Sequence, residues 1–289
     1  MNIRNDSTHS VGISAVLKEK DFNRFSKFIY DMVGIKLPPA KKIMVEARLQ
    51  KRLKALGLLS FEEYAEYVFS DTGKRDEIVH LIDVVTTNKT DFFREPAHFE
   101  YLVKKALPAL MENRSAGLRS PLKIWSAGCS TGEEPYTMAM VLSEFETENP
   151  GFQSAILATD ISTEVLAKAR NAIYTEDRVD TIPLNFKKKY LLKSRDKHKG
   201  LVRIAPQLRS MVQFRRLNFM EDFGLKEHMD IIFCRNVIIY FDKQTQERLL
   251  NKFCKQLVRG GYLFLGHSET LNGLNVPLTP VASTVYCKL

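Results

Sequence analysis

From Pro121 onward the chain alternates short apolar runs with amphipathic stretches, and this rhythm restricts the fold more than any other feature. Leu122–Ala127 reads as a strand and Glu134–Glu146 as a helix; Ala155–Thr159 then reads as a strand and Glu164–Asn171 as a helix. Val212–Leu217 and Met229–Cys234 read as strands, Gln244–Val258 as a helix and Tyr262–Leu265 as a strand, with Ala282–Cys287 as a candidate last strand. Strands that alternate with helices imply βαβ units and a largely parallel sheet. The rhythm breaks once. About forty residues separate the helix ending near Asn171 from the strand at Val212, too many for a simple connection. Apolar alternation at Leu201–Ile204 marks a small β-rich insertion there, at about 173–211.

Upstream, the period is helical. Phe22, Phe25, Phe28 and Ile29 fall at helix spacing, and Pro38-Pro39 punctuates the chain. Val45, Leu49, Leu53 and Leu56 form a second apolar face that Gly57 stops. Ser60 with Glu63 three residues on is a capping-box pattern, opening a helix that carries Tyr64, Tyr67 and Val68. A further helix is expected from about Lys74 to Val84. The expected division is an all-helical domain with its linker over residues 1–90 and an α/β domain over 91–289, the latter holding the insertion.

Composition removes several classes. With 44% hydrophobic and 27% charged residues in 289, the chain is neither disordered nor fibrous. Cys129, Cys234, Cys254 and Cys287 are far apart, so reduced thiols in a cytoplasm are expected rather than a disulfide framework or a zinc site. Met1–Lys20 lacks the apolar core of a secretory signal, and no apolar run approaches the roughly 18 residues of a membrane helix. The net charge of +9 suggests an acidic partner, and at this stage nucleic acid, anionic lipid and an acidic protein surface all satisfy it.

In an open α/β sheet, ligands bind beyond the carboxyl ends of the strands. The first strand runs into Gly128-Cys129-Ser130-Thr131-Gly132-Glu133-Glu134-Pro135, a turn of small residues opening a helix with proline in its first turn. It is not GxGxxG and has no phosphate-binding lysine. Its two glutamates disfavour phosphate; they suit either a cationic ligand or the macrodipole of the helix they open. The second strand ends in Asp160, a position for a carboxylate that holds ribose hydroxyls or caps the next helix. A nucleoside with a cationic tail and no phosphates fits this pair, and S-adenosylmethionine matches that description better than a dinucleotide does.

Four longer motifs carry a resemblance. Thr86-Thr87-Asn88-Lys89-Thr90-Asp91-Phe92-Phe93-Arg94-Glu95 and Trp125–Tyr136 are the first two. Phe233-Cys234-Arg235-Asn236-Val237-Ile238-Ile239-Tyr240-Phe241 and Gly266-His267-Ser268-Glu269 complete the set. In this order, over nearly the whole chain, they resemble the CheR family of chemotaxis receptor methyltransferases. The resemblance implies a Rossmann-like, S-adenosylmethionine-dependent methyltransferase fold with an N-terminal helical domain and a small β-subdomain insertion. It implies an enzyme that makes methyl esters of receptor glutamates. Asn88, Thr90 and Arg94 would contact the methionine part and the reaction centre, Glu134 the cofactor's charged or polar groups, and Asp160 the ribose. Asn218 and Phe219 would flank the adenine, and Arg235 and Asn236 would close the site. Phe92 and Phe93 also read as plain core residues, and Arg94 as a surface charge.

Methyl transfer to a carboxylate needs no general base, because a glutamate near neutral pH is already ionised. No metal cluster and no Ser/His/Asp arrangement is apparent or required. Arg94 and Tyr240 form the expected reaction-centre pair, Tyr240 being alternatively a buried aromatic of its run. A nucleic-acid methyltransferase is the rival reading, but the strand-end motif Asn236-Val237-Ile238-Ile239-Tyr240 lacks the prolines of amino-methylating DNA enzymes. A non-catalytic cofactor-binding adaptor is the other. From Lys36 to Lys54 stand Lys36, Lys41, Lys42, Arg48, Lys51, Arg52 and Lys54 against Glu46 alone. This stretch is either a solvated face or, as the resemblance implies, the surface that docks an acidic receptor coiled coil, with Lys41, Arg48, Lys51 and Arg52 as its contacts. The insertion is basic too, and in some family members it holds a receptor's C-terminal tail peptide.

Overall fold

The computed structural model describes residues 16–194 and 200–289, and the chain divides into two units. One comprises Lys36–Thr86 with the chain up to Met32; the other comprises Thr87–Leu289 with Val33–Ile35.

The first unit is helical among its described residues. The helix Glu19–Val33 buries Phe22, Phe25 and Ile29, and Lys42–Leu56 buries Val45, Leu49 and Leu53, the apolar faces expected from their spacing. Gly57, at φ +69°, ends the second helix: the N–H of Leu58 reaches back to the Leu53 carbonyl, a left-handed cap that glycine adopts without a Cβ penalty. Ser60 Oγ accepts the Glu63 N–H at 3.1 Å, and Glu63 returns a carboxylate to the Leu59 N–H at 2.9 Å. The helix Phe61–Phe69 follows.

The single helix expected from Lys74 to Val84 is instead two, Asp71–Asp76 and Ile78–Val85. Glu77 stands at the break, 1% exposed, and its carboxylate takes two bonds from Arg52 at 2.7 and 2.8 Å and one from the Tyr64 hydroxyl at 2.9 Å. Arg48 donates to the carbonyls of Val85 and Thr86 at 2.6 and 3.1 Å, closing the end of the last helix. This corrects the expected docking stripe. Arg48 and Arg52 turn into their own unit, because buried helix ends and a buried carboxylate need partners. Lys41 is half-buried and Lys51 is exposed.

The second unit is built on a seven-stranded sheet. Its strands are β1 (Leu122–Ala127), β2 (Ser154–Asp160), β6 (Val212–Arg216), β7 (Met229–Cys234), β8 (Leu257–Leu265), β9 (Thr279–Ala282) and β10 (Val285–Cys287). The order is β6-β2-β1-β7-β8-β10-β9, parallel from β6 to β8 and antiparallel beyond. Side chains alternate across it. Ile124, Ile231 and Phe233 join one apolar cluster, with Tyr136, Leu142 and Leu107 from the helices. Trp125, Ile232 and Cys234 join the other, with Leu249, Leu250 and Phe253. Every residue of β7 is buried, as a central parallel strand covered on both faces requires.

Two boundaries differ from the sequence reading. The helix Lys243–Gln256 stops two residues early and β8 starts at Leu257, because Gly260 and Gly261 hide a strand start at a register shift against β7. The last strand is a hairpin, β9 and β10, with Thr284 at φ +54°. The insertion holds β3 (Ile173–Thr175), β4 (Leu191–Lys193) and β5 (Leu201–Ile204), in the antiparallel order β3-β5-β4. Of its basic residues, Arg195, Lys197 and Lys199 lie outside the described residues, as does residue Asp196.

Candidate active site

The sheet reverses its winding between β1 and β7, and the motif loops gather at the carboxyl ends of β1, β2, β7 and β8 beside that switch point. The turn after β1 is built for close approach. Gly128 sits at φ +87°, and an added Cβ would come within 2.5 Å of Val237 Cγ2. The N–H groups of Gly128 and Cys129 donate to the Thr159 carbonyl at 2.8 and 2.9 Å. Ser130, at φ +49°, donates its N–H to Asp160 Oδ2 at 2.8 Å and its hydroxyl to the Asn88 carbonyl at 2.9 Å.

Asp160, 7% exposed, therefore ties the first turn to the end of β2, and its Oδ1 accepts the Ser162 N–H at 3.0 Å. It is not the cap of the helix Thr163–Asn171; Ser162 Oγ takes that part. Leu217 N–H donates to the Asp160 carbonyl at 3.0 Å and so brings the next two residues to the same end of the sheet. Asn218 is engaged with Glu221 and the Met220 N–H. Phe219 is half-buried, its ring 5.5 Å from Phe253 and 6.5 Å from Trp125.

The first turn of the helix Glu133–Glu148 supplies two carboxylates with different partners. Glu133, 1% exposed, accepts from Arg178 at 2.5 Å and from Thr131 Oγ1 at 2.6 Å. Arg178 also reaches the Thr90 carbonyl at 2.7 Å and Asp91 at 3.3 Å. Glu134 accepts from Ser126 Oγ at 2.7 Å and Arg235 at 3.3 Å; burial pushes its carboxyl up, against the pull of the Arg235 charge.

Arg235 joins the motifs. Its side chain is 2% exposed and contacts Glu95 Oε2 at 3.1 Å, Glu134 Oε2 at 3.3 Å and the Arg94 carbonyl, with the guanidinium carbon 5.5 Å above the Phe99 ring. Burial raises the Glu95 carboxyl, but Arg235 and the His267 N–H outweigh it and hold the group below its usual range. The result is a clasp of two carboxylates on one guanidinium, a fork suited to such pairing. The Arg94 side chain is half-buried and donates to the Lys89 carbonyl at 3.1 Å.

Beyond β7, Asn236 adopts φ +59° and lies against Gly266, where an added Cβ would come within 2.5 Å of Asn236 Nδ2. Glu269, 3% exposed, fixes this corner by accepting N–H bonds from Gly266, Asn236, Val237 and Ile239 at 2.6, 2.8, 2.9 and 3.3 Å. Tyr240 ends the short turn Ile238–Tyr240 and is half-buried. Four non-glycine residues at positive φ, Phe93, Glu95, Ser130 and Asn236, lie in these loops. Such conformations cost on the order of 1–3 kcal/mol each and persist where the surroundings over-determine them.

The structure thus brings Asn88, Thr90, Arg94, Glu134, Asp160, Asn218, Arg235 and Asn236 to one end of the sheet, but Asn88 and Thr90 meet the loops through their carbonyls. Phe92 is core, 1% exposed against Tyr174. Sequence reasoning gave no role to Glu95, Arg178 or Glu269, and took Glu133 only with Glu134 as a pair suited to a cationic ligand or to the helix macrodipole. Glu95 and Glu269 are acids inside the quoted motifs, and a carboxylate among apolar and small residues is the signal that would have singled them out. The charged side chains of the turn after β1 are carboxylates only, and the turn approaches by its backbone. That chemistry fits a cationic, phosphate-free nucleoside, S-adenosylmethionine included.

Comparison with known proteins agrees. Residues 88–287 match the CheR methyltransferase, SAM binding domain, and residues 20–86 match the CheR methyltransferase, all-alpha domain. The chemotaxis protein methyltransferase of Borreliella burgdorferi is 42% identical, over 98% of this chain and 99% of its own. Chemotaxis protein methyltransferase 2 of Pseudomonas aeruginosa is 39% identical, over 92% of each chain. The Escherichia coli chemotaxis protein methyltransferase is 39% identical, over 93% of this chain and 91% of its own. No helix among the described residues is long and apolar enough to cross a membrane. With both domain models matched in order along a Rossmann-like sheet, the chain belongs to the CheR methyltransferase family and is an S-adenosylmethionine-dependent methyltransferase.

Proposed function

We propose that this enzyme methylates side-chain carboxylates of glutamates in chemotaxis receptors, giving methyl esters. The observation that carries the substrate class is the contrast among three arginines. Arg178 and Arg235 each form ion pairs with glutamates, whereas Arg94 hydrogen-bonds a backbone carbonyl and its charge acts on Glu134 only through space. Of the three, Arg94 is the one whose guanidinium is not committed to an ion pair and can meet a substrate carboxylate.

When bound, S-adenosylmethionine supplies a methyl group on a positively charged sulfur. A substrate carboxylate oxygen would take that methyl group, the electron pair of the broken bond leaving with sulfur. A glutamate, with a pKa of about 4.3, enters ionised, so no proton is moved. The protein's part is alignment and exclusion of water. Arg94 would align the carboxylate without holding it so tightly that the ground state gains more than the transition state. Tyr240 would hydrogen-bond the attacking carboxylate or face the methyl group. Asp160 would hold the ribose, Glu134 and Arg235 the methionine end with Asn88 and Thr90, and Asn218 and Phe219 the adenine, with Asn236 closing the site.

The helical domain, residues 1–90 with its linker, is assigned to receptor docking, and 91–289 to catalysis in the cytoplasm. Since Arg48 and Arg52 are engaged within the unit, the docking charge falls to Lys51 and Lys54, both exposed, and to the half-buried Lys41 at the start of the helix. The acidic faces of receptor coiled coils suit such a surface; a receptor tail peptide on the β-subdomain is a second contact of the same kind.

Incubation with labelled cofactor and receptor-containing membranes tests the reading. Base-labile label on a receptor-sized band is expected. Label on RNA, or base-stable label, would overturn it.

A further inference from the structure

Glu95, His98 and His267 stand together beside the Arg235 clasp, one ligand atom of each lying within 4.8 Å of those of the other two. His98 is 2% exposed, and the His267 side chain is 57% exposed. The His98 ring shows which nitrogen faces the group. Its Nε2 lies 2.8 Å from Thr284 Oγ1, and that hydroxyl gives its single hydrogen to the Ser283 carbonyl. With the hydroxyl so directed Oγ1 accepts, and the ring tautomer that matches it and the hydrogen bond to the Ser283 backbone carries its proton on Nε2, which leaves Nδ1 with a lone pair. Nδ1 is buried without a hydrogen-bond partner and lies 3.4 Å from Glu95 Oε2. Two electron-rich atoms face each other there, an arrangement that a cation between them would turn from repulsive to attractive. Glu95 Oε2 is also 3.9 Å from His267 Nε2.

We propose that Glu95, His98 Nδ1 and His267 Nε2 form a binding site for a divalent first-row metal ion, zinc in the first instance, and that its occupancy loosens the Arg235 clasp. Two imidazoles and one carboxylate suit zinc, copper or nickel rather than magnesium or calcium. Zinc bonds of about 2.1 Å place tetrahedral ligands about 3.4 Å apart, which the Glu95–His98 pair already matches. His267, on the exposed side, closes the remaining gap, and water completes the shell. Arg235 shares Glu95 Oε2 at 3.1 Å, so a bound dication and the guanidinium compete for one carboxylate. That competition limits affinity and makes the site inhibitory rather than structural. Binding is independent of the proposed substrate; inhibition rests on the proposed function.

The full chain, stripped with chelator, is titrated with zinc by calorimetry and with cobalt(II) by absorption spectroscopy. One site is expected, with d–d bands and no thiolate charge-transfer band, which separates it from the four cysteines. His267→Ala, which keeps the backbone N–H that Glu95 accepts, should weaken binding at least about tenfold, a metal ligand counting for no less than its outer-shell supports do. His98→Gln should weaken it as well. Zinc should slow methyl transfer by the wild type, chelator should restore it, and His267→Ala should be insensitive to zinc while its metal-free rate is unchanged. Equal zinc affinity in wild type and His267→Ala, or a thiolate band, overturns the site. Lost binding in His267→Ala with no inhibition of the wild type overturns the coupling to Arg235.

Discussion

The two units bury charge in opposite ways. In the helical unit the buried acids Asp21, Glu77 and Asp83 are dispersed, and Glu77, at a helix break, meets one arginine and one tyrosine. Its work is to hold helices together. In the α/β unit, apart from Asp230 at the start of β7, the buried acids Glu133, Asp160 and Glu269, with Glu95 and Glu134 nearly so, collect at one end of the sheet and hold backbone N–H groups or share arginines. The first pattern is structural economy. The second over-determines loops whose residues sit at positive φ, which is what pre-organisation of a binding site requires. Basic residues show the same contrast, with Arg52 a strut and Arg235 a clasp between motifs far apart in the chain.

Breaking the clasp should have the largest effect. Arg235→Ala leaves Glu95 and Glu134 facing each other in a buried site, and removing one partner of a buried charge pair costs about 3–5 kcal/mol. Denaturant unfolding should show that loss, and methyl transfer should fall about a hundredfold, the size of effect that a misplacement of about 1 Å at a reaction centre produces. A variant with full stability and full rate would show the clasp to be dispensable. Arg52→Glu comes next: it places a second carboxylate against Glu77 and should destabilise the helical unit by about 3 kcal/mol, at the low end for a buried pair because the Arg52 side chain is partly exposed. Amide exchange should rise through residues 42–56 but stay unchanged in β1, β2 and β7. Unchanged exchange in both units would remove Arg52 as a strut.

How much of this was legible beforehand follows the same division. The α/β alternation gave Met229–Cys234 and Leu201–Ile204 to the residue, because period and length are local properties. The break at Glu77 was not legible, since Arg52 lies 25 residues away and no local signal marks the pairing. The start of β8 was hidden by Gly260 and Gly261, poor strand formers that a bulge tolerates. In the site, Asp160 and Glu134 were singled out because one ends a strand and the other follows the turn after one. Glu95 was passed over because its partners, Arg235 and His267, lie 140 and 172 residues on. Charge counting misjudged the basic helix for a related reason: composition records how many arginines a segment has, not which way they turn.

A smaller effect is expected at Asp160. Asp160→Asn keeps one acceptor for the Ser130 and Ser162 N–H groups but removes the charge. If the carboxylate holds the ribose, calorimetry should show cofactor binding weakened at least about tenfold, or 1.4 kcal/mol, with stability changed less. Unchanged affinity would confine Asp160 to tying the two loops.

The smallest effect separates surface charge from buried charge within one helix. Lys51 and Lys54 are exposed, so Lys51→Glu with Lys54→Glu should alter stability within about 0.5 kcal/mol and leave cofactor affinity alone. Steering of an acidic partner acts through the encounter rate and fades with salt, the screening length being about 10 Å at 0.1 M ionic strength. Receptor methylation by the double variant should therefore be a few-fold slower at low salt and converge on the wild-type rate as salt is raised. The same slowing at every salt concentration would point to a lost direct contact instead of steering. No slowing at all would return these lysines to a solvated face and leave receptor recognition to some other surface.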